Sequence, residues 1–338
     1  MNIREAIAAL TRRVDLTEVD SEAVMNEIMS GAATPAQVAA FLTALRMKGE
    51  TVAEITGAAK VMRAKADGVK VPPGCILDTC GTGGDQLETF NISTTAAIVA
   101  AACGVTVAKH GNRSVSSRSG SADVLAALGV NIEAPKIKVE ECLQKAGIGF
   151  LFAPLLHQAM KYAVGPRREI GIRTIFNILG PLTNPAMATH QLIGIYDGDL
   201  TEPIARVFKN LGTDRAMVVH GEEGLDEISL CGPTRVAELR DGEVKSYRMS
   251  PQDFGLKRCS LEDLRGGSPE QCAVIVRKVL GGEKGPKRDV VLLNSAAALY
   301  TSGSVESVAA GLQRAEQAID SGDASAKLDL LVEVSNSG

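Results

Sequence analysis

No two of the seven cysteines (Cys75, Cys80, Cys103, Cys142, Cys231, Cys259 and Cys272) stand in a CxxC pair. That spacing excludes a zinc ribbon and a disulfide framework, and it predicts free thiols in a reducing compartment. Long apolar runs are also missing. The stretch AAIVAAACGVTVA is too short and too broken by glycine to span a bilayer. The opening MNIREAIAALTRRVD scatters its charges and has no apolar centre, so it does not read as a signal peptide. No basic excess exists: the formal net charge is −4, which argues against a nucleic-acid partner held by bulk electrostatics. Internal repeats and low-complexity segments are absent as well. What remains is a chain of 338 residues, 45% hydrophobic and 22% charged. It is long enough for about two domains and a large core, and a cytoplasmic protein with no membrane partner is expected.

The first seventy residues carry helix signals only. NIREAIAALTRRV places Ile3, Ile7 and Leu10 on one face, and DSEAVMNEIMSG stops at Gly31. Thr34, Pro35 and Gln37 open a third helix with a capping box, and Thr51 with Glu54 open a fourth. From Val71 the pattern changes. CILD, VTVA, IGFLFA, HQLIGIY and RAMVVH read as strands with helices between most of them, which predicts a largely parallel sheet. Asp241-Gly242, between two alternating runs, predicts a hairpin. The segments from Ser268 onward read as closing helices.

Four loops carry possible chemistry. After the first strand comes DTCGTGGDQLETFNIST, residues 78 to 94, with a helix opening behind Ser93 and closing at Gly104. Glycines let backbone amides approach an anion, and a helix N-terminus favours negative charge, although such loops also serve as plain connectors. After the second strand, residues 109 to 129 hold Lys109, Arg113 and Arg118 with His110, Asn112 and five serines, and open another helix near Ala122. Loops at the C-terminal ends of parallel strands converge on one crevice, so these two should face each other across a ligand with two separated phosphate groups. In HGEEGLDEIS, Glu222, Glu223, Asp226 and Glu227 crowd together, which suits a hard divalent cation or, equally, an exposed acidic turn. Residues 165 to 185 offer Arg167, Arg168 and Arg173, a guanidinium set that suits a carboxylate, and end in two proline turns.

GTGGD at 81–85, NIST at 91–94, KHGNR at 109–113, RTIFNILGPLTNP at 173–185 and GLDEIS at 224–229 stand in one order along the chain. With them the sequence resembles the anthranilate phosphoribosyltransferase family over essentially its whole length, with no departure at a motif position. The resemblance implies an α/β fold: a small all-helical domain packed on a larger domain with a mostly parallel central sheet. Residues 1–70, joined by helices from about 160–190, would form the first domain, and residues 71–338 the second. It implies a homodimer that joins anthranilate to 5-phosphoribosyl 1-diphosphate (PRPP), releasing diphosphate, in tryptophan biosynthesis. Matched by position, Gly81, Gly84, Asp85, Thr89, Asn91, Ile92, Ser93 and Thr94 would hold PRPP. Lys109, His110, Gly111, Asn112, Arg113, Ser114, Val115, Ser116, Ser117 and Ser121 would grip it from the other side. Gly81, Asn112 and Arg167 would touch anthranilate, with Arg167 on its carboxylate. Ser93, Asp226 and Glu227 would coordinate two Mg²⁺ ions per subunit. No residue stands out as a catalytic base. A pyrimidine nucleoside phosphorylase shares the implied architecture but would not need the acidic LDE loop. A nucleic-acid-binding relative would need a basic surface that the net charge does not supply.

Overall fold

A computed structural model describes residues 1–84, 87–114 and 118–338. The chain begins with α1 (Ile3–Leu10), α2 (Glu18–Ser30), α3 (Pro35–Lys48) and α4 (Val52–Lys65). Each has a reciprocal capping box, at Asn2/Glu5, Thr17/Asp20, Thr34/Gln37 and Thr51/Glu54. Helix α2 starts earlier than the sequence pattern suggests, because Thr17 and Asp20 form a box of their own. Glu54 also reaches across to accept the Leu16 amide at 2.9 Å, so one carboxylate ties α4 to the α1–α2 turn.

The rest of the chain runs β1 (Ile76–Gly81), α5 (Ile92–Ala102), β2 (Thr106–Gly111), α6 (Ser121–Ala127), α7 (Lys136–Lys145), β3 (Ile148–Phe152) and α8 (Ala153–Leu156). There follow α9 (Lys161–Ile170), α10 (Phe176–Leu182), β4 (His190–Gly194), α11 (Thr201–Asn210), β5 (Arg215–Gly221), β6 (Thr234–Arg240) and β7 (Glu243–Met249). Helices α12 (Pro269–Leu280), α13 (Pro286–Thr301), α14 (Val308–Asp320) and α15 (Asp323–Asn336) close it. The first of the two expected proline turns is instead the end of α10, which contains Pro181 and stops one residue later.

The strands form one seven-stranded sheet in the order β3-β2-β1-β4-β5-β6-β7. Pairing is parallel from β3 through β5 and antiparallel for β6 and β7. The β6–β7 hairpin turns at Asp241 (φ +52°) and Gly242 (φ +75°), the left-handed pair that a two-residue hairpin loop needs.

Both faces of the sheet are covered, so its central strands are buried on both sides and mostly apolar. In β5, Met217 and Val219 point into a core shared with α5 and α12–α15. Ala216 and Val218 point the other way, into a core continuous with α1–α4, α10 and α11. Helix α9 packs on α2 and α3, and α10 on α4. The helical unit is thus seated against one face of the sheet, beside its strand ends. No helix among the described residues is long and apolar enough to cross a membrane, and all seven cysteines are free thiols.

Candidate functional site

Chain direction across the sheet reverses between β1 and β4, since β1 leads outward to β2 whereas β4 leads the opposite way to β5. Open α/β sheets bind ligands at such a point, beyond the strand C-termini. The last residues of the two strands, Gly81 and Gly194, lie side by side. Residues 225 to 228 cross directly above them. A β-carbon on Gly194 would sit 1.5 Å from the Asp226 carbonyl oxygen, and one on Gly81 would sit 2.4 Å from Asp226 Oδ2. Both glycines exist to let that segment down onto the strand ends.

The two carboxylates of that segment enter the crevice. Gly83 donates its amide to Asp226 Oδ2 at 2.7 Å, and Ser93 donates its amide to Glu227 Oε1 at 3.0 Å. Both acids are buried. The sequence placed Ser93 just ahead of a helix, but α5 begins at Ile92, so Ser93 lies in its first turn. Asn91 makes no side-chain cap. Glu227 supplies the cap from 134 residues away, and a carboxylate at a helix N-terminus is favourable in itself. The other two acids of the cluster turn elsewhere. Glu222 meets Arg248 at 2.7 Å and Arg235 at 3.8 Å, and Glu223 accepts from the Ser229 hydroxyl. The four crowded carboxylates therefore sort into a pair over the strand ends and a pair used in local structure.

The first two loops do face each other. Asn91 Nδ2 donates to the Ser119 carbonyl at 3.1 Å, and Arg118 pairs with Glu88 at 3.1 Å. Asp123 shapes the second loop by accepting the amides of Ser114 (3.0 Å) and Gly120 (2.9 Å). Arg113 is exposed and pairs with Asp123 and Glu133, whereas Asn112 is exposed and receives Ser121 Oγ on its carbonyl at 3.4 Å. Thr89 forms an isolated bridge with Arg265. Ile92 and Thr94 send their side chains into the core, and the Ile92 amide is held by the Phe90 carbonyl at 2.8 Å. Asp85, Val115, Ser116 and Ser117 lie outside the described residues.

Lys109 and His110, read from sequence as loop residues, lie inside β2, and Gly111 ends it. Lys109 is buried and donates to the Thr79 carbonyl at 2.5 Å. Burial lowers its pKa, opposed chiefly by Asp78, with Cys80 and Glu227 also raising it. Asp78, fully enclosed in β1, accepts from Asn184 Nδ2 (2.8 Å) and the His110 amide (3.1 Å). Burial pushes its carboxyl up to about 6, against the pull of Lys109 and these hydrogen bonds. The sequence reading singles out neither Asp78 nor Asn184. An acid inside an apolar strand was the available signal, because a buried charge needs partners.

His110 and His157 meet with ring centroids 5.0 Å apart and planes tilted by 51°, and Nε2 of each is buried without a partner among the described residues. Burial depresses their pKa values to about 3 and about 4. Both values lie below the unfolded 6.5, so the unfolded chain binds more protons at acid pH. Stability is present above pH 6.5 and falls as pH drops toward those values, by about 1.4 kcal/mol per pH unit per histidine. Thermal unfolding of wild type against His157→Gln between pH 7 and 5 checks this: the variant should lose less stability on acidification. Equal slopes would remove His157 from the account.

Arg167 is half-buried on α9, with its guanidinium over the Phe176 ring at 5.0 Å. It pairs with no carboxylate among the described residues, and burial lowers its pKa. Its ring support belongs to α10, and α10 also supplies the Gly180 carbonyl that faces His110. Arg168 is exposed. Arg173 donates to the Gly84 carbonyl. Gly84 has φ +81°, and its β-carbon position is 3.0 Å from Arg173 Nη2. Gly84→Val is strained twice, by dihedral and by contact, and, on the expectation that the sequence resemblance gives for this loop, should abolish PRPP binding in calorimetry while leaving the fold intact. Unchanged binding would make the loop a mere connector.

The helical bundle domain of a glycosyl transferase family matches residues 4–66, and the a/b domain of the same family matches residues 74–325. An anthranilate phosphoribosyltransferase of Geotalea uraniireducens is 58% identical, with 99% of each chain covered. The crystal structure of anthranilate phosphoribosyltransferase from Thermus thermophilus superposes with a TM-score of 0.93 at 43% identity, covering 98% of this chain and 99% of that one. The Saccharomyces cerevisiae enzyme in complex with PRPP and Mg gives 0.90 at 30% identity, covering 98% and 97%.

Proposed function

The chain belongs to the anthranilate phosphoribosyltransferases, and from that premise we propose a role for each part of the crevice. Its reaction moves the 5-phosphoribosyl group of PRPP to the amine of anthranilate and releases diphosphate, a transfer step of tryptophan biosynthesis.

Cleaving the bond from ribose C1 to diphosphate leaves an electron-poor, oxocarbenium-like carbon and a departing polyanion. The catalytic need is charge stabilisation on the leaving group, in a site closed to water. Anthranilate's aromatic amine is already neutral at pH 7, so attack on C1 requires no strong base. His110, with a ring pKa pushed to about 3, is neutral there and binds or supports rather than donating charge.

In this reading PRPP lies between the loops. Gly81, Gly84, Asp85, Thr89 and Asn91 to Thr94 contact it from one side, and Lys109 to Ser117 with Ser121 from the other. Asp226, Glu227 and the Ser93 hydroxyl offer the hard oxygen donors that Mg²⁺ prefers. Among the described residues no set of three or more His, Cys, Asp or Glu converges on a metal site. Two ions per subunit would therefore complete their shells from phosphate oxygens and water. Bound there, Mg²⁺ would stabilise the charge growing on the diphosphate. Gly81, Asn112 and Arg167 would position anthranilate, and closure of the helical unit (1–70 with helices of 160–190) on the unit of 71–338 would exclude water. A cytoplasmic homodimer completes the proposal.

The observation that carries this reading is the pair Asp226 and Glu227, buried over the strand ends on the amides of Gly83 and Ser93. The test follows diphosphate release from PRPP with anthranilate present or omitted, and thymidine with phosphate in parallel. Release that ignores anthranilate, or turnover of thymidine instead, overturns the assignment.

Arg167→Ala should raise the anthranilate KM and leave PRPP binding nearly intact, since a charge-assisted hydrogen bond is worth about 1.5–3 kcal/mol. Equal weakening of both substrates would move Arg167 out of the anthranilate site.

A further inference from the structure

Between α9 and α10 the chain runs back toward the glycine loop, and Arg173 is the residue that reaches it. Its Nη2 donates to the Gly84 carbonyl, and its guanidinium lies over the Tyr196 ring, 4.1 Å from the centroid. Tyr196 follows β4 and donates its own amide to Thr82 Oγ1 at 3.2 Å. The Thr82 amide in turn donates to the Gly194 carbonyl at 2.9 Å. Residues 82 to 84 are therefore held by the end of β4 beneath them and by Arg173 from the α9–α10 segment. Arg173 pairs with no carboxylate among the described residues, so its planar fork is committed to a main-chain oxygen and an aromatic face. Such a geometry favours arginine over lysine, because a point charge on a flexible stem cannot do both.

We propose that Arg173 is a positioning residue for the phosphoribosyl transfer. It fixes the Gly83–Gly84 backbone in the left-handed shape that presents the loop to the diphosphate, with Tyr196 as the platform that orients the guanidinium. The inference rests on the assignment of PRPP to this loop. It separates two arginines six positions apart on one segment: Arg167 serves anthranilate, and Arg173 serves PRPP through the loop.

The test compares Arg173→Ala, Arg173→Lys, Tyr196→Leu and the double variant Arg173→Ala/Tyr196→Leu by steady-state kinetics, PRPP calorimetry and thermal unfolding. Arg173→Ala should raise the PRPP KM and Kd about tenfold, with the anthranilate KM at saturating PRPP within about twofold of wild type and Tm unchanged. Tyr196→Leu should raise the PRPP KM about threefold, and the double variant should be no worse than Arg173→Ala, because the ring acts only through the guanidinium. Arg173→Lys should recover less than half of the loss. A PRPP KM that stays at wild type in Arg173→Ala overturns the proposal. So does equal damage to both substrates with a lowered Tm, additivity in the double variant, or full recovery by lysine. A wild-type chain that releases no diphosphate from PRPP with anthranilate overturns this inference together with the reading beneath it. An active wild type with an indifferent Arg173→Ala overturns this inference alone.

Discussion

Replacing Asp226 by Asn and Glu227 by Gln together is expected to lower kcat by about a hundredfold or more and to raise the Mg²⁺ concentration that gives half-maximal rate. Removing one preorganised stabiliser of transition-state charge costs about 10²–10³ in kcat in well-studied sites, and here the two carboxylates proposed to hold the metal are neutralised. The metal would then be held by phosphate oxygens and water alone. The fold should survive. Each amide side chain keeps an oxygen that can accept the Gly83 or Ser93 N–H, so the loss is that of a charged acceptor turning neutral, about 1 kcal/mol apiece. Initial rates over a Mg²⁺ titration, with a thermal unfolding scan alongside, decide the matter. An unshifted titration in a folded double variant would sink the metal assignment and leave the phosphate loops untouched.

How far the sequence alone reaches is clearest at this pair. Period-3.6 stripes, capping boxes and alternating apolar runs are local signals, and they deliver α1–α4, the parallel strands and the Asp241-Gly242 hairpin. Even there a boundary slips where a second local device competes, as Thr17 and Asp20 do at the start of α2. Composition cannot divide Glu222, Glu223, Asp226 and Glu227 by role, because the division depends on partners far along the chain: Arg248 for Glu222 and Ser93 for Glu227. Lys109 and His110 read as loop residues for the same reason. Their strand runs on to Gly111, pairing with Phe150 to Phe152, and no local signal marks that extension. Asp78 with Asn184 is a contact across 106 residues, invisible to any window. The motif order nonetheless names the family, since five motifs in register constrain far more than one loop does.

Gly194→Ala should inactivate the enzyme although residue 194 is not among the proposed ligand contacts. A methyl group there would lie 1.5 Å from the Asp226 carbonyl oxygen and 2.3 Å from its carbon. Neither the strand nor the crossing backbone is the free end of a side chain, so no rotamer change relieves the clash, and overpacking of this kind costs about 1–3 kcal/mol. Residues 225 to 228 must lift away from β1 and β4, and that motion pulls Asp226 from the Gly83 amide and Glu227 from the Ser93 amide together. The expected result is a folded protein with kcat below about one hundredth of wild type and a Mg²⁺ requirement that no longer saturates, on the same charge-stabilisation argument. Gly165→Ala on α9 is the matched control. Outside its own helix and chain neighbours the added methyl group meets nothing within 4 Å, so residues 225 to 228 stay seated and the Mg²⁺ dependence should hold, with no gain in helix stability expected beside Pro166. If Gly194→Ala keeps wild-type rate and metal dependence, the seat of residues 225 to 228 on the strand ends has no part in catalysis, and the carboxylates act without it.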